Sequence, residues 1–221
     1  EYAVRHNNNE ELDDVINQLI ITNKLLKDSK TGLLYHAYDE SRGQRWSDIN
    51  TGCSPHFWSR SIGWYLMAVI DVLDFVSLSD VKRESLINIV KELSLSLLRF
   101  QDESGMWWQV TDEGKREGNY LETSATSMFA YSFFKGVRMG YLDSSFRERA
   151  QKAIDGIKSK YLTFDGNEYH LGGICSVAGL GGNPYRDGSF KYYVKEKIAT
   201  DDFKGVGPFI LALLEGEKAI K

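Results

Sequence analysis

The sequence predicts an all-α protein built as part of a ring of helical hairpins, and three observations predict it. Amphipathic helices alternate with helices that are apolar around most of their circumference, the alternation occurs three times, and each passage between the two kinds carries a similar glycine-and-aromatic turn. Helices apolar on all sides must be buried on all sides, so they form an inner layer, with the amphipathic helices outside it.

The first outer helix carries Leu12, Val15, Ile16, Leu19, Ile20 and Leu26 at helical spacing. Glu10, Glu11, Asp13 and Asp14 come early and Lys24 and Lys27 late, the charge order that the helix dipole favours. The second carries Leu86, Ile87, Val90, Leu93, Leu97 and Leu98, and the third Phe146, Ala150, Ala153, Ile154, Ile157 and Tyr161. The inner helices are expected over residues 57–76, 122–139 and 203–214, the last opening with Lys204-Gly-Val-Gly-Pro208, where proline suits a first turn. Thr31-Gly32-Leu-Leu-Tyr35-His36 is echoed by Ser104-Gly105-Met-Trp-Trp108-Gln109 and, more faintly, by Asp165-Gly166-Asn-Glu-Tyr169-His170. A repeat of about 60 to 80 residues is a supersecondary unit that must stack on its neighbours. Three such pairs make half of a six-pair α/α toroid, with the aromatic turns gathered on one rim. Residues 1–6 read as the last turn of a further helix, so the chain is expected to start inside a larger fold and to form, over 1–221, a single domain.

With 221 residues, 42% hydrophobic and 26% charged, the chain is long enough for one substantial core. The net charge of −4 comes with both signs interspersed, so there is no basic stripe for nucleic acid or an anionic membrane. No apolar run approaches the roughly 20 residues needed to span a bilayer. Cys53 and Cys175 are far apart and follow no metal-ligand spacing, so reduced structural thiols are expected, with no metal and no cofactor. The glycine-rich residues 172–182 lack the Gly-Lys-Ser/Thr of a phosphate loop. They suit turn-making or backbone approach to a sugar, and residues 186–193 then suit a short hairpin or lid on the same rim.

The richest chemistry lies between the first outer and inner helices. His36, Asp39, Arg42, Arg45, Trp46, His56, Trp58, Arg60 and Trp64 gather imidazole, guanidinium, indole and carboxylate in one loop and helix start. Indole faces stack on the C–H faces of a pyranose, a guanidinium forks onto a carboxylate, and imidazole donates or accepts near neutral pH. Arg60 and Trp64 are one helical turn apart. The pattern suits an acidic sugar.

The blocks Tyr35-His-Ala-Tyr-Asp39-Glu-Ser-Arg42, Trp46-Ser-Asp48, Thr51-Gly-Cys-Ser-Pro-His-Phe-Trp58-Ser-Arg60-Ser-Ile-Gly-Trp64-Tyr, Glu122-Thr-Ser-Ala125, Arg186-Asp-Gly-Ser189 and Lys204-Gly-Val-Gly-Pro-Phe209 resemble glycoside hydrolase family 105. These are the unsaturated rhamnogalacturonyl hydrolases, related to the unsaturated glucuronyl hydrolases of family 88. The resemblance runs in order over almost the whole chain and implies the later part of the family's six-hairpin (α/α)6 barrel. It also implies removal of a terminal 4,5-unsaturated uronic acid by hydration of its C4=C5 double bond, with an aspartic acid protonating C4 and no cofactor. Carried over onto this sequence, the substrate-contacting residues are His36, Trp58, Arg60 and Trp64. The family's acid/base aspartate is expected upstream of Glu1, so no catalytic residue is assigned within the chain. Asp39 and Asp48 are expected to brace the loop, Glu122 to cap the second inner helix, and Asp201 or Asp202 the third. The expected ligand is an unsaturated uronic-acid oligosaccharide and the expected compartment a bacterial cytoplasm. The alternatives are a non-catalytic fragment that binds an acidic sugar, or a structural fragment that pairs with another chain, with its own missing half or with itself.

Overall fold

The computed structural model of the protein describes residues 1–77 and 79–218. A short α1 (Tyr2–Arg5) leads into α2 (Asn9–Leu26), which is followed by α3 (Ser59–Val72), α4 (Arg83–Leu98), α5 (Thr123–Arg138) and α6 (Ser145–Tyr161). A small hairpin of β1 (Leu162–Phe164) and β2 (Tyr169–Leu171), then β3 (Ile174–Cys175), α7 (Phe190–Lys195) and β4 (Ile198–Ala199), precede α8 (Phe203–Lys218). Strands β1 and β2 pair antiparallel, as do β3 and β4.

The first outer helix forms where its charge order predicts it. Asn8 caps α2, its side-chain oxygen accepting from Glu11 N at 3.1 Å, and Glu10 and Glu11 occupy the first turn. Its apolar stripe packs inward while Val15, Ile21 and Leu25 remain exposed. Outer helix α2 lies against α4 and α3, α4 against α3 and α5, and α6 mainly against α5 and also against α8. Inner helix α5 is the hub, packed between α3 and α8 and backed by α6. Every residue from Thr123 to Gly136 is buried, which is why this segment carries Ala, Ser, Thr and aromatics and almost no charge. Against it lies Trp107, fully buried, edge-on to Phe129 and Phe133 at 5.1 and 5.9 Å, its Nε1 donating to Leu97 O at 2.9 Å.

The repeated turns are one device. Gly32 and Gly105 both hold positive φ, +70° and +88°, and press against the next outer helix, at Ser96 of α4 and Lys152 of α6 respectively. A side chain at either position would meet both backbone strain and a packed neighbour.

At the C-terminal end of the inner helices the same elements are tied by charge. Lys135 Nζ on α5 sits 2.7 Å from Asp71 and 2.6 Å from Asp74, and Arg138 pairs with Glu215 of α8 at 2.7 Å. The loops at the opposite end are thereby left to present the polar aromatic side chains.

Two expectations need correction. Proline 208 is not in the first turn of α8: the helix begins at Phe203, and Pro208 is its sixth residue. Nor is α8 buried all round. Ile210, Leu211 and Leu214 are exposed, and Phe203 is 88% exposed, because no described element covers that flank. The expected lid over residues 186–193 takes the form of a turn closed by paired Gly181 and Arg186, running into α7.

The β1–β2 hairpin is fastened to the segment before α8 by Leu171 N donating to Asp201 Oδ1 at 2.7 Å, by Asp201 N donating to Leu171 O at 2.9 Å, and by one imidazole. His170 Nδ1 lies 2.7 Å from Asp201 and Nε2 3.2 Å from Asp165, so only the imidazolium donates to both. The bonds to Asp201 and then Asp165 raise the His170 pKa, while backbone amides and His170 hold Asp165 down to about 2. A raised histidine pKa gives stability that is present below the unfolded value of about 6.5 and lost as pH rises through the folded one. Amide exchange at Tyr169 and Leu171, corrected for intrinsic rate, is therefore expected to speed up as pH passes above that value. His170→Asn should abolish the dependence, and a flat wild-type profile would contradict the fastening.

Candidate functional site

The site is built on the connection between α2 and α3. Two Asx turns shape it: Asp39 accepts from Ser41 N at 3.1 Å and Gln44 N at 2.7 Å, and Asp48 from Asn50 N at 2.9 Å and Thr51 N at 2.7 Å. These backbone bonds lower the pKa of both carboxyls, so they stay ionised and brace the loop. Glu122 caps α5 by accepting from Ala125 N at 2.6 Å, and Asp202 accepts from Lys204 N at 2.9 Å at the start of α8. All four act as the sequence predicted.

His36 and Trp58 come together. Their rings are 4.7 Å apart, and both face Tyr193, whose ring lies 6.3 Å from Trp58 and within 23° of parallel. Tyr193 OH is 2.7 Å from His36 Nδ1. Gln109 braces the cluster: its Oε1 accepts from Trp58 Nε1 at 3.1 Å, and its Nε2 donates to Tyr193 O at 3.2 Å and contacts Cys175 Sγ at 3.1 Å. Burial lowers the His36 pKa to about 4, so the imidazole is neutral over the physiological range. Among the described residues its Nε2 has no hydrogen-bond partner. Cys53 and Cys175 are free and buried.

Arg60, expected to offer its fork to a uronate, lies deep in the structure. Only 1% exposed, its guanidinium lies 5.6 Å from the Trp58 ring. It donates to the Cys175 carbonyl, with Glu122 Oε1 at 3.4 Å from Nη2. The second position of α3 points at the start of α5, where a buried carboxylate waits, and that pairing holds the side chain in. Trp64, one turn on, is 46% exposed, so the two differ in depth although they share a helix face.

Sequence reasoning missed Tyr193 and Gln109, which are unremarkable in isolation and become partners only through long-range packing. It quoted Arg186 only as part of a motif. Arg186 Nε donates to Gly181 O at 3.0 Å, and the guanidinium rests in a cradle of Gly179 and Gly182, where an added Cβ would stand 2.7 and 2.9 Å from it. Its terminal nitrogens have no carboxylate partner among the described residues. The loop bearing it sits on the first connection: Arg45 stacks on Tyr185 at 4.1 Å, and a Cβ at Gly188 would lie 3.2 Å from Pro55.

Grooves also lie elsewhere. One of about 330 Å³ is lined by Tyr2, Leu12, Val15, Val72 and Phe75, and one of about 380 Å³ by Leu162, Tyr169, Phe203 and Phe209. Both are on the flanks of the arc, and the first is mainly apolar, so the convergence of aromatic rings, imidazole and guanidinium marks the rim instead. Asp165, Glu168 and His170 bring ligand atoms within 4.8 Å of one another, the one group of the described residues spaced for a metal ion. Both imidazole nitrogens are already on carboxylates there, which fits an ion triad better than a metal ligand.

The family model described as glycosyl hydrolase family 88 matches residues 1–220. The chain belongs to this family. A family 105 glycoside hydrolase of Clostridium acetobutylicum superposes with a TM-score of 0.95 at 47% identity, covering 98% of this chain and 61% of that one. The mostly helical architecture is thus the family's α/α toroid, of which the chain spans about three fifths of that relative's length. Protein Atu3128 of Agrobacterium fabrum is 36% identical over 222 residues, covering 97% of this chain and 94% of that protein. The unsaturated rhamnogalacturonyl hydrolase YesR of Bacillus subtilis is 26% identical over 130 residues, 59% of this chain and 34% of its own. No helix among the described residues is long and apolar enough to cross a membrane.

Proposed function

We propose that the chain forms the substrate-holding side of an unsaturated uronyl hydrolase acting on rhamnogalacturonan-derived oligosaccharides. The observation that carries the reading is the neutral His36, held tilted against Trp58 with ring centroids 4.7 Å apart and with Nε2 unpaired among the described residues, in a chain of this family. In this reading His36 bonds an oxygen of the unsaturated ring, Trp64 offers an exposed indole face, and Trp58 forms the wall behind His36. Arg60 supports that wall from within, and Arg186 supplies the fork for the uronate carboxylate. Hydration of the C4=C5 bond requires a proton at C4 and water at C5. Asp39, Asp48 and Asp202, ionised and committed to backbone amides, are poor proton donors, and none of the three is assigned that role in this reading.

The test is calorimetry with 4,5-unsaturated galacturonate and, beside it, a neutral rhamnoside. The acid is expected to bind saturably and the neutral sugar not. A charge-assisted pair is worth roughly 1.5–3 kcal/mol, so Arg186→Ala should weaken uronate binding by about ten- to a hundredfold in a chain that still folds. Equal binding of both sugars, or an Arg186→Ala variant of full affinity, would overturn carboxylate recognition by this rim.

A further inference from the structure

We infer that Tyr193 is a positioning residue that holds His36 in the Nε2–H tautomer, so that the imidazole offers a ligand an N–H donor and not a lone pair. The ligand part of this inference rests on the functional reading above; the tautomer does not.

The argument is an accounting of hydrogens. Tyr193 OH and His36 Nδ1 are 2.7 Å apart, and neither atom has another hydrogen-bond partner among the described residues. One proton lies between them, and it belongs either to the phenol or to the imidazole. Tyr193 is fully buried among Trp58, Val110, Cys175 and Phe190. If Nδ1–H donated to the phenol oxygen, the phenol's own proton would point into that apolar and aromatic wall with nothing to receive it. A buried donor left without an acceptor is the costly outcome, whereas a phenol oxygen with unused lone pairs is cheap. The phenol therefore donates and Nδ1 accepts. Because burial keeps the imidazole neutral, its single proton is then on Nε2.

The geometry around the pair leaves little freedom to escape this. The His36 ring is held by Trp58 at 4.7 Å, and the backbone of Tyr193 is held by Gln109 Nε2 at 3.2 Å. Gln109 in turn is fixed by the Trp58 indole N–H at 3.1 Å. His56 faces Tyr193 only edge-on, with ring centroids 6.5 Å apart, and makes no hydrogen bond to its hydroxyl. The ring of contacts closes on itself, and the one outlet is Nε2. Its proton suits a sugar hydroxyl or a carboxylate oxygen. It does not suit deprotonating the water that adds at C5, so His36 binds and orients and does not act as base.

The measurement is nitrogen NMR of the whole chain carrying 15N-labelled histidine, near neutral pH. His36 is expected to show a protonated Nε2 and an unprotonated Nδ1. Tyr193→Phe keeps the ring and its stacking but removes the donor, and should convert His36 to a mixture of tautomers. A wild-type His36 protonated on Nδ1 overturns the inference, and because it needs no variant it decides the matter even if Tyr193→Phe does not fold. A folded Tyr193→Phe with an unchanged His36 pattern overturns it equally. For the ligand part, Tyr193→Phe should bind 4,5-unsaturated galacturonate about tenfold more weakly, the scale of one hydrogen bond. If the wild-type tautomer is as stated and the uronate does not bind at all, the positioning role stands and the sugar assignment fails, so the two are separable.

Discussion

Glu122→Ala is expected to lower the unfolding free energy by about 3–5 kcal/mol, the scale of breaking a buried ion pair from one side. The Glu122 carboxylate is fully buried and collects four donors. Oε1 accepts from Cys175 N at 2.9 Å, Oε2 from Ala125 N at 2.6 Å, and the Ser124 hydroxyl reaches either oxygen at 2.8 Å. Arg60 Nη2 stands 3.4 Å from Oε1. One side chain thus caps the hub helix α5, anchors β3 and neutralises the guanidinium behind Trp58. Alanine removes all three at once. The cap alone is worth about 1 kcal/mol, and the larger part comes from stranding Arg60, whose Nε and Nη1 already lack partners.

Replacing both members distinguishes this from simple loss of packing. Arg60→Met with Glu122→Gln removes the buried charges together, and is expected to recover a large share of what Glu122→Ala loses. Urea titration with unchanged slope, read at the midpoint, is the measurement. A Glu122→Ala loss below about 1 kcal/mol would mean that the pair is not buried in solution.

The alternation of outer and inner helices was legible in the sequence because burial imprints itself locally. A helix wet on one side keeps a 3.6-residue stripe, and one with no wet side, such as α5, carries no charge until its last turn, at Lys135 and Arg138. The caps were legible for the same reason, since Glu122 and Asp202 act within three residues of themselves. The site was only half legible. His36 and Trp58 stand in one loop, and their association could be read, but Tyr193 reaches His36 across 157 positions of sequence and Gln109 reaches Trp58 across 51. No periodicity reports such pairings. The depth of Arg60 was not legible, because helical spacing tells which face a residue shares and not how deep it lies. What decided its depth was a carboxylate 62 positions away on the neighbouring inner helix.

The apolar flanks of the arc give the other large effect. On α8, Ile210, Leu211 and Leu214 are exposed beside Phe203, and at the opposite flank Tyr2, Val15 and Phe75 are exposed around the groove under α1. Isolated exposed apolar side chains are ordinary, but runs of them on one helix face are not. Full burial of a side chain of this size is worth about 1.5–3 kcal/mol, so water in contact with several together favours any process that covers them. The isolated chain is therefore expected to bind a hydrophobic fluorescent dye while fully folded, and to associate as its concentration rises. Ile210→Lys with Leu214→Lys should remove most of the dye signal from the α8 flank. It should leave the melting midpoint nearly unchanged, because neither side chain belongs to the buried core. A native chain that stays monodisperse and monomeric and leaves the dye dark would show that the flanks are covered in solution.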